Sequence, residues 1–136
     1  GYRTSVLKRH EVSGIVLSAL LKLKNSTKEE VSVKIEQFSE RRKATQPPGA
    51  SMGSMFKNPE GDHAGRLIEA AGLKGTRIGN AEISTLHGNF FINHGETQAQ
   101  DVYALIRLVQ KTVMEKFGVS LELEVELVGE WNADNG

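Results

Sequence analysis

The chain has no cysteine among its 136 residues, which excludes a disulfide framework and any thiolate metal site. It has no excess of either charge. Its 17 basic and 17 acidic side chains balance to zero, so there is no electrostatic case for nucleic acid or an anionic membrane. No apolar run approaches the ~20 residues that span a bilayer, and nothing has the layout of a signal peptide. A cytoplasmic location is the expectation. Histidine is scarce: His10, His63, His87 and His94 stand at no metal-binding spacing with a carboxylate, so no metal is expected. The glycine-spaced run GLKGTRIG, residues 72–79, matches neither the phosphate loop nor the dinucleotide fingerprint, and reads as turns. There is no internal repeat and no low-complexity segment. An initiator methionine is also missing, and the abrupt opening Gly1-Tyr2-Arg3-Thr4-Ser5 suggests a piece of something longer.

What is present is an ordinary apolar and charged content, enough for one modest domain with a core. Residues 2–8 and 14–23 read as two strands of a hairpin, and the second is apolar enough to want burial on both faces. Ser26 with Glu29, or Thr27 with Glu30, fits the capping box of a helix whose inward stripe is Val31, Ile35 and Phe38. Pro47-Pro48-Gly49 ends it, and this helix is the candidate boundary between two structural units. Asp62 is placed to cap a short helix with Ala64, Leu67, Ile68 and Ala71 inward, stopped by Gly72. Residues 76–78, 81–84 and 89–93 are short strand candidates between glycine-containing turns. Thr97 with Gln100 repeats the capping-box pattern before a long helix faced by Val102, Leu105, Ile106, Val109 and Val113 and ended by Gly118. Over residues 119–127 apolar side chains alternate with Ser120, Glu122, Glu124 and Glu126, the period of a half-buried strand. Helices and strands mix without a βαβ rhythm, so the fold class expected is α+β.

The segment GASMGSMFKNP, residues 49–59, carries more than a turn requires. Ser54 reads either as a turn serine bonded to its own backbone or as a hydroxyl able to pass a proton to a reacting carbon. Lys57 brings a point charge and Asn58 two directional amide hydrogens, a pair suited to an anionic ligand. No histidine adjoins Ser54, so a Ser-His-Asp hydrolase has no local support. Glu124 reads as a solvated strand residue, or as one of three carboxylates about 7 Å apart whose repulsion pushes a pKa upward toward general-acid use. Arg3, beside Tyr2, either snorkels to an edge or offers a permanent cation to a developing oxyanion. His87 is the better ligand candidate of the histidines because Gly88 permits close backbone approach.

Taken together, YRTSVLK, ERRKATQP, GSMFKNP, AGRLIEAAGLKGTRIGNAEIS, HGNFFIN and KFGVSLELEVELVG resemble, in order, the UDP-N-acetylenolpyruvoylglucosamine reductase family. These are flavoenzymes of peptidoglycan precursor synthesis. The resemblance covers nearly the whole chain and lacks the family's N-terminal flavin-binding region. It implies a strand pair left from the FAD-binding domain at residues 1–24. A C-terminal substrate-binding domain, with mixed or antiparallel sheet and packed helices, would follow at 25–136. It implies FAD and NADPH as cofactors and a UDP-sugar whose enolpyruvyl double bond is reduced. By resemblance Ser54 is the proton donor. Arg3 and Glu124 polarise the carboxylate and stabilise an enolate-like intermediate. Asn58, with Lys57 beside it, binds the diphosphate, and His87 and Tyr2 lie on the substrate side. Glu126 stands where the family often has arginine, and the short distance from Arg3 to Ser54 resembles the form without an extra substrate-covering loop. Two rivals remain at this stage. One is a stand-alone nucleotide-sugar diphosphate binding module without redox chemistry; the other is an interaction domain in which Ser54 and Glu124 are ordinary surface residues.

Overall fold

The computed structural model describes residues 2, 4–129 and 131. The chain divides into two units, Gly1–Glu40 and Arg41–Gly136. In the first, the expected hairpin does not form among the described residues. Residues 6–12 are turns, closed by backbone bonds such as Arg9 N–H to Ser5 O and Glu11 N–H to Val6 O. The Ser5 hydroxyl oxygen accepts the Lys8 N–H, a local bond that competes with strand pairing. Residues 14–23 adopt no regular secondary structure and join no ladder among the described residues. Their side chains lie in the open, with Leu17 92% and Leu20 102% exposed. An apolar run buried on both faces needs flanking strands, and no described segment supplies them.

Helix α1 (Lys28–Thr45) starts as its cap predicts, in the second of the two expected registers. Glu30 N–H donates to the Thr27 hydroxyl at 3.2 Å, and the Glu30 carboxylate accepts from Thr27 N–H and the Ser26 hydroxyl. That Ser26 bond, with the Thr27 amide, holds Glu30 below the usual carboxylate range. The stripe Val31, Ile35 and Phe38 is helical in spacing but exposed rather than packed. The helix stops just before Pro47-Pro48, where proline disfavours helix in the residue ahead of it.

The second unit holds β1 (Ala50–Ser54), α2 (Ala64–Ala70), β2 (Arg77–Ile78), β3 (Ala81–Ile83), β4 (Phe90–Asn93) and α3 (Ala99–Phe117). The four strands form one antiparallel sheet in the order β1-β4-β3-β2. This is the α+β class read from the sequence. The β2–β3 hairpin turns on Gly79-Asn80, and Gly79 takes the positive φ that a glycine-first two-residue loop requires. The side chain of Arg77 braces that loop through Gly79 O and Asn80 Oδ1.

The core is one cluster. Leu105, Ile106, Val109 and Val113 of α3 meet Leu67 and Ile68 of α2, and Ile83 and Phe91 of the sheet. The inward faces of both helices are those their periodicity indicates. Their caps differ in detail from the reading above. Helix α3 begins one residue later than expected, with Gln98 and Asp101 as its capping box. An ionised Asp101 suits the positive end of the helix better than a neutral Gln100. Helix α2 is capped at His63 rather than Asp62. Asp62 is drawn off by Arg66, and the Ala64 N–H donates instead to Asn58 Oδ1 at 3.1 Å. Gly118 ends α3 in the left-handed conformation, as its position predicts.

The expected last strand is present only in part. Leu121 is buried, and Val119, Leu123 and Val125 pack against the core. Regular pairing is limited to a bridge between Phe56 and Leu123. It is framed by Lys57 N–H to Glu122 O at 2.8 Å and Glu124 N–H to Met55 O at 2.9 Å. Beyond it Leu127 and Val128 are exposed. The alternation thus marks the buried face correctly, but the segment finds a partner only three residues long.

Candidate active site

A cleft of about 360 Å³ opens where β1 ends. Ser54, Asn58, His63, Arg66, His87 and Asn89 are among its lining residues. Ser54 reaches it through an irregularity in the sheet. Ser51 pairs with Ile92 and Ser54 with Phe90, so two residues, Met52 and Gly53, stand opposite the single Phe91. This is a β-bulge, and Gly53 sits in it at φ +82°.

The loop between β3 and β4 places His87. The buried Ser84 hydroxyl oxygen accepts the N–H groups of Leu86 and His87 at 3.1 and 3.2 Å. The His87 ring stands edge-on to Phe90, with centroids 4.9 Å apart. Its Nδ1 accepts the Asn89 N–H at 3.2 Å, so the neutral ring carries its proton on Nε2. Glycines stand close on both sides of this contact. A Cβ on Gly88 would meet Gly65 O at 2.9 Å, and one on Gly65 would meet the His87 ring at 2.9 Å.

On the rim, Asp62 grips Arg66 through both carboxylate oxygens. The guanidinium, aided by the His63 backbone N–H, holds Asp62 down to about 2. Asn58 Oδ1 is committed to α2, while its amide nitrogen donates to no group among the described residues. Together the cleft presents a hydroxyl, an imidazole N–H, a carboxamide and a fixed guanidinium, a set suited to an anionic or hydroxylated ligand.

Ser54, Asn58 and His87 therefore converge. Lys57 turns elsewhere and pairs with Glu122 at 2.8 Å. Glu124, half-buried, lies on the neighbouring segment, its N–H on Met55 O, one residue from Ser54. The expected carboxylate repulsion does not raise Glu122. The Lys57 ammonium, by hydrogen bond and charge, holds it below its usual range. Tyr2 is exposed in the first unit, and Arg3 lies outside the described residues. His94 is outside this cleft, with its ring on the Glu82 carboxylate at 2.7 Å. Run 72–79 is spent on turns, with Gly75 N–H on Ile83 O and the hairpin at Gly79, and forms no dinucleotide cradle. Among the described residues no three metal-ligating side chains gather, and no helix is long and apolar enough to cross a membrane.

Asn89 was not singled out by sequence. It is 3% exposed. Its Oδ1 accepts the Phe56 N–H at 2.9 Å, and its Nδ2 donates to Phe56 O at 2.8 Å. Its backbone O takes the Met55 N–H. The only local signal was an asparagine between Gly88 and Phe90 at the mouth of an apolar strand.

Fold and cleft define an α+β domain with a polar site at the bulged end of its edge strand. A model of the UDP-N-acetylenolpyruvoylglucosamine reductase C-terminal domain matches residues 44–128. A reductase of that name from Chloroflexus aggregans is 48% identical over 130 residues, covering 93% of this chain and 44% of the relative. One from Bacillus licheniformis is 45% identical over 130 residues, covering 95% of this chain and 70% of the relative. The crystal structure of the Thermus caldophilus reductase aligns with TM-score 0.65 and 47% identity, over 77% of this chain and 37% of that one. The chain belongs to the UDP-N-acetylenolpyruvoylglucosamine reductase family, through its C-terminal domain. It spans 44% of the length of the Chloroflexus relative.

Proposed function

We infer that this chain is the substrate-side part of an FAD- and NADPH-dependent reductase acting on the enolpyruvyl group of a UDP-sugar, in the cytoplasm, in peptidoglycan synthesis. The observation that carries the reading is the meeting of Ser54, Asn58 and His87 in one cleft, in a chain of a reductase family. Residues 1–24 are assigned to the edge of the flavin-binding domain and 25–136 to the substrate domain. No described residue is assigned to the flavin. FAD, reduced by NADPH, supplies the hydride; this chain supplies the proton.

Addition of hydride beside a carboxylate builds negative charge on the carboxylate oxygens. Arg3 and Glu124 are assigned to that charge, the first as a permanent cation and the second as a hydrogen-bond donor when protonated. Ser54 gives its hydroxyl proton to the adjacent carbon and is re-protonated from solvent. Asn58, through its amide nitrogen, and Lys57 are assigned to the diphosphate, and His87, through Nε2–H, and Tyr2 are assigned to further substrate contacts. Lys57 must exchange its Glu122 partner for phosphate to do so. The stand-alone binding module is not favoured, because the relatives it resembles are reductases.

In the complete reductase, Ser54→Ala is expected to lower kcat by about 100-fold or more, the usual weight of a positioned proton donor. KM should move little. Glu124→Gln, which keeps shape and a donor, should cost less. Wild-type turnover in both variants would refute the assignment. Calorimetric titration of this chain with the enolpyruvyl UDP-sugar, with and without FAD, tests the substrate assignment separately.

A further inference from the structure

Two features on either side of Ser54 set the direction of its hydroxyl. Before it lies the bulge. If the register of Ser51 with Ile92 simply continued, Ser54 would oppose Asn89 and share the face of Phe91, which is in the core. With Met52 and Gly53 opposite one residue, Ser54 opposes Phe90 instead. Directly opposed residues share a face, and successive residues alternate. The bulge therefore turns Ser54 from the core face to the face of Phe90, against which His87 stands.

After Ser54 the chain leaves β4 and meets residues 122–124. Phe56 and Leu123 form a pair in which the flanking residues exchange the hydrogen bonds. In such a pair, the central residue's own N–H and C=O point away from its partner. Phe56 is fully buried, so those two groups need partners inside the protein. The Asn89 carboxamide supplies both, one donor and one acceptor in the plane of an amide, as a strand residue would.

We propose that Asn89 is a positioning residue for Ser54: its side chain replaces a missing strand partner, holds Phe56 at both backbone groups, and fixes the serine hydroxyl in the cleft. The inference rests on the reading of Ser54 as proton donor. Asn89 touches no reacting atom and acts only through the 54–56 backbone.

Asn89→Ala leaves the Phe56 amide without its partner. Amide hydrogen exchange on this chain should then show Phe56 protection falling by about tenfold or more. Protection in α3 should be kept. In the complete reductase, proton transfer should slow by on the order of 100-fold, the effect of about 1 Å of misplacement. The solvent deuterium isotope effect should grow. Reduction of the flavin by NADPH, which uses no proton from Ser54, should keep its rate. Unchanged exchange at Phe56, or equal slowing of both half-reactions, overturns the proposal.

Asn89→Asp provides the second variant should alanine fail to fold. A neutral carboxyl has the same donor–acceptor face as the carboxamide, and an ionised one presents two acceptors. The lost rate should therefore return as pH falls, and failure to return overturns the proposal. Wild-type turnover in Ser54→Ala removes the parent reading. An inactive Ser54→Ala beside a fully active Asn89→Ala removes this inference alone.

Discussion

Gly88→Ala tests how closely α2 and the β3–β4 loop are fitted. Gly88 does not occupy the positive-φ region, so alanine meets no backbone objection there. The objection is steric. The new Cβ would lie 2.9 Å from the carbonyl oxygen of Gly65 and 3.2 Å from Cβ and Cγ2 of Ile68. Comfortable carbon contacts begin near 3.5 Å, so relief requires about 0.5 Å of movement. The carbonyl belongs to α2, and Ile68 is fully buried, so the helix must move as a body. Forced overpacking of this kind costs about 1–3 kcal/mol. At about 2 kcal/mol, a unit of this size should melt about 8–16 °C lower. Gly65→Ala is the matched control. Its Cβ meets a side chain, the His87 ring, which can turn away. The helix gains about 1 kcal/mol from alanine, offset by a similar loss of the Asn89 N–H bond to His87. Its stability should change by less than about 1 kcal/mol while the cleft loses its imidazole. Urea and thermal unfolding followed by circular dichroism measure both variants. An unchanged melting temperature for Gly88→Ala, or the reverse order of the two, would refute the contact geometry.

Three further outcomes follow from named contacts. Asp62, held down to about 2, contributes stability above its ordinary value of 3.8 that is lost as pH falls toward 2. Carbon-detected NMR titration should place its midpoint near 2 and, in Arg66→Ala, nearer 3.8. Thr97 Oγ1 is buried with no hydrogen-bond partner among the described residues. Thr97→Val should therefore be neutral or stabilising by about 1 kcal/mol in urea unfolding, and clear destabilisation would show that the hydroxyl is paired. Lys116 Nζ donates to Ala71 O at 2.7 Å, closing the C-terminus of α2. Lys116→Met should cost about 0.5–1 kcal/mol in the same assay, and no loss would show that the contact contributes nothing.

What the sequence disclosed depended on how local the cause was. The inward residues of α2 and α3 and the Gly118 cap follow from periodicity and single-residue conformation, and all were legible. So was the α1 cap, to within one register. Strands 77–78, 81–83 and 90–93 were bracketed by their turns. The apolar run 14–23 reads as a strand that wants burial, yet it is exposed and has no cover among the described residues, because burial depends on partners a pattern does not name. In the site, the motif around Ser54 drew attention to Ser54 and Asn58, and Gly88 to His87. Asn89 was missed because its role lies in a pairing across 33 residues. The Lys57 partner was hidden for the same reason: the carboxylate it pairs with is 65 residues away, on Glu122.

Those long-range pairings also explain why the proposed acid and the proposed proton donor come onto neighbouring segments. Leu121, 2% exposed, anchors the tail in the core, and the Gln110 side chain donates to its carbonyl at 3.0 Å. From that anchor the next residues run along Met55 to Lys57, and two backbone bonds fix the register there. A slip of one residue would send Glu124 to the opposite face. The Lys57–Glu122 ion pair supports the same register from outside, but its carboxylate is largely exposed, and such pairs contribute at most about 1 kcal/mol. Register is thus held mainly by the buried leucine and the backbone, leaving Lys57 able to change partners without releasing Glu124. The cation can then turn to an anionic ligand while the strand that carries the carboxylate stays in place.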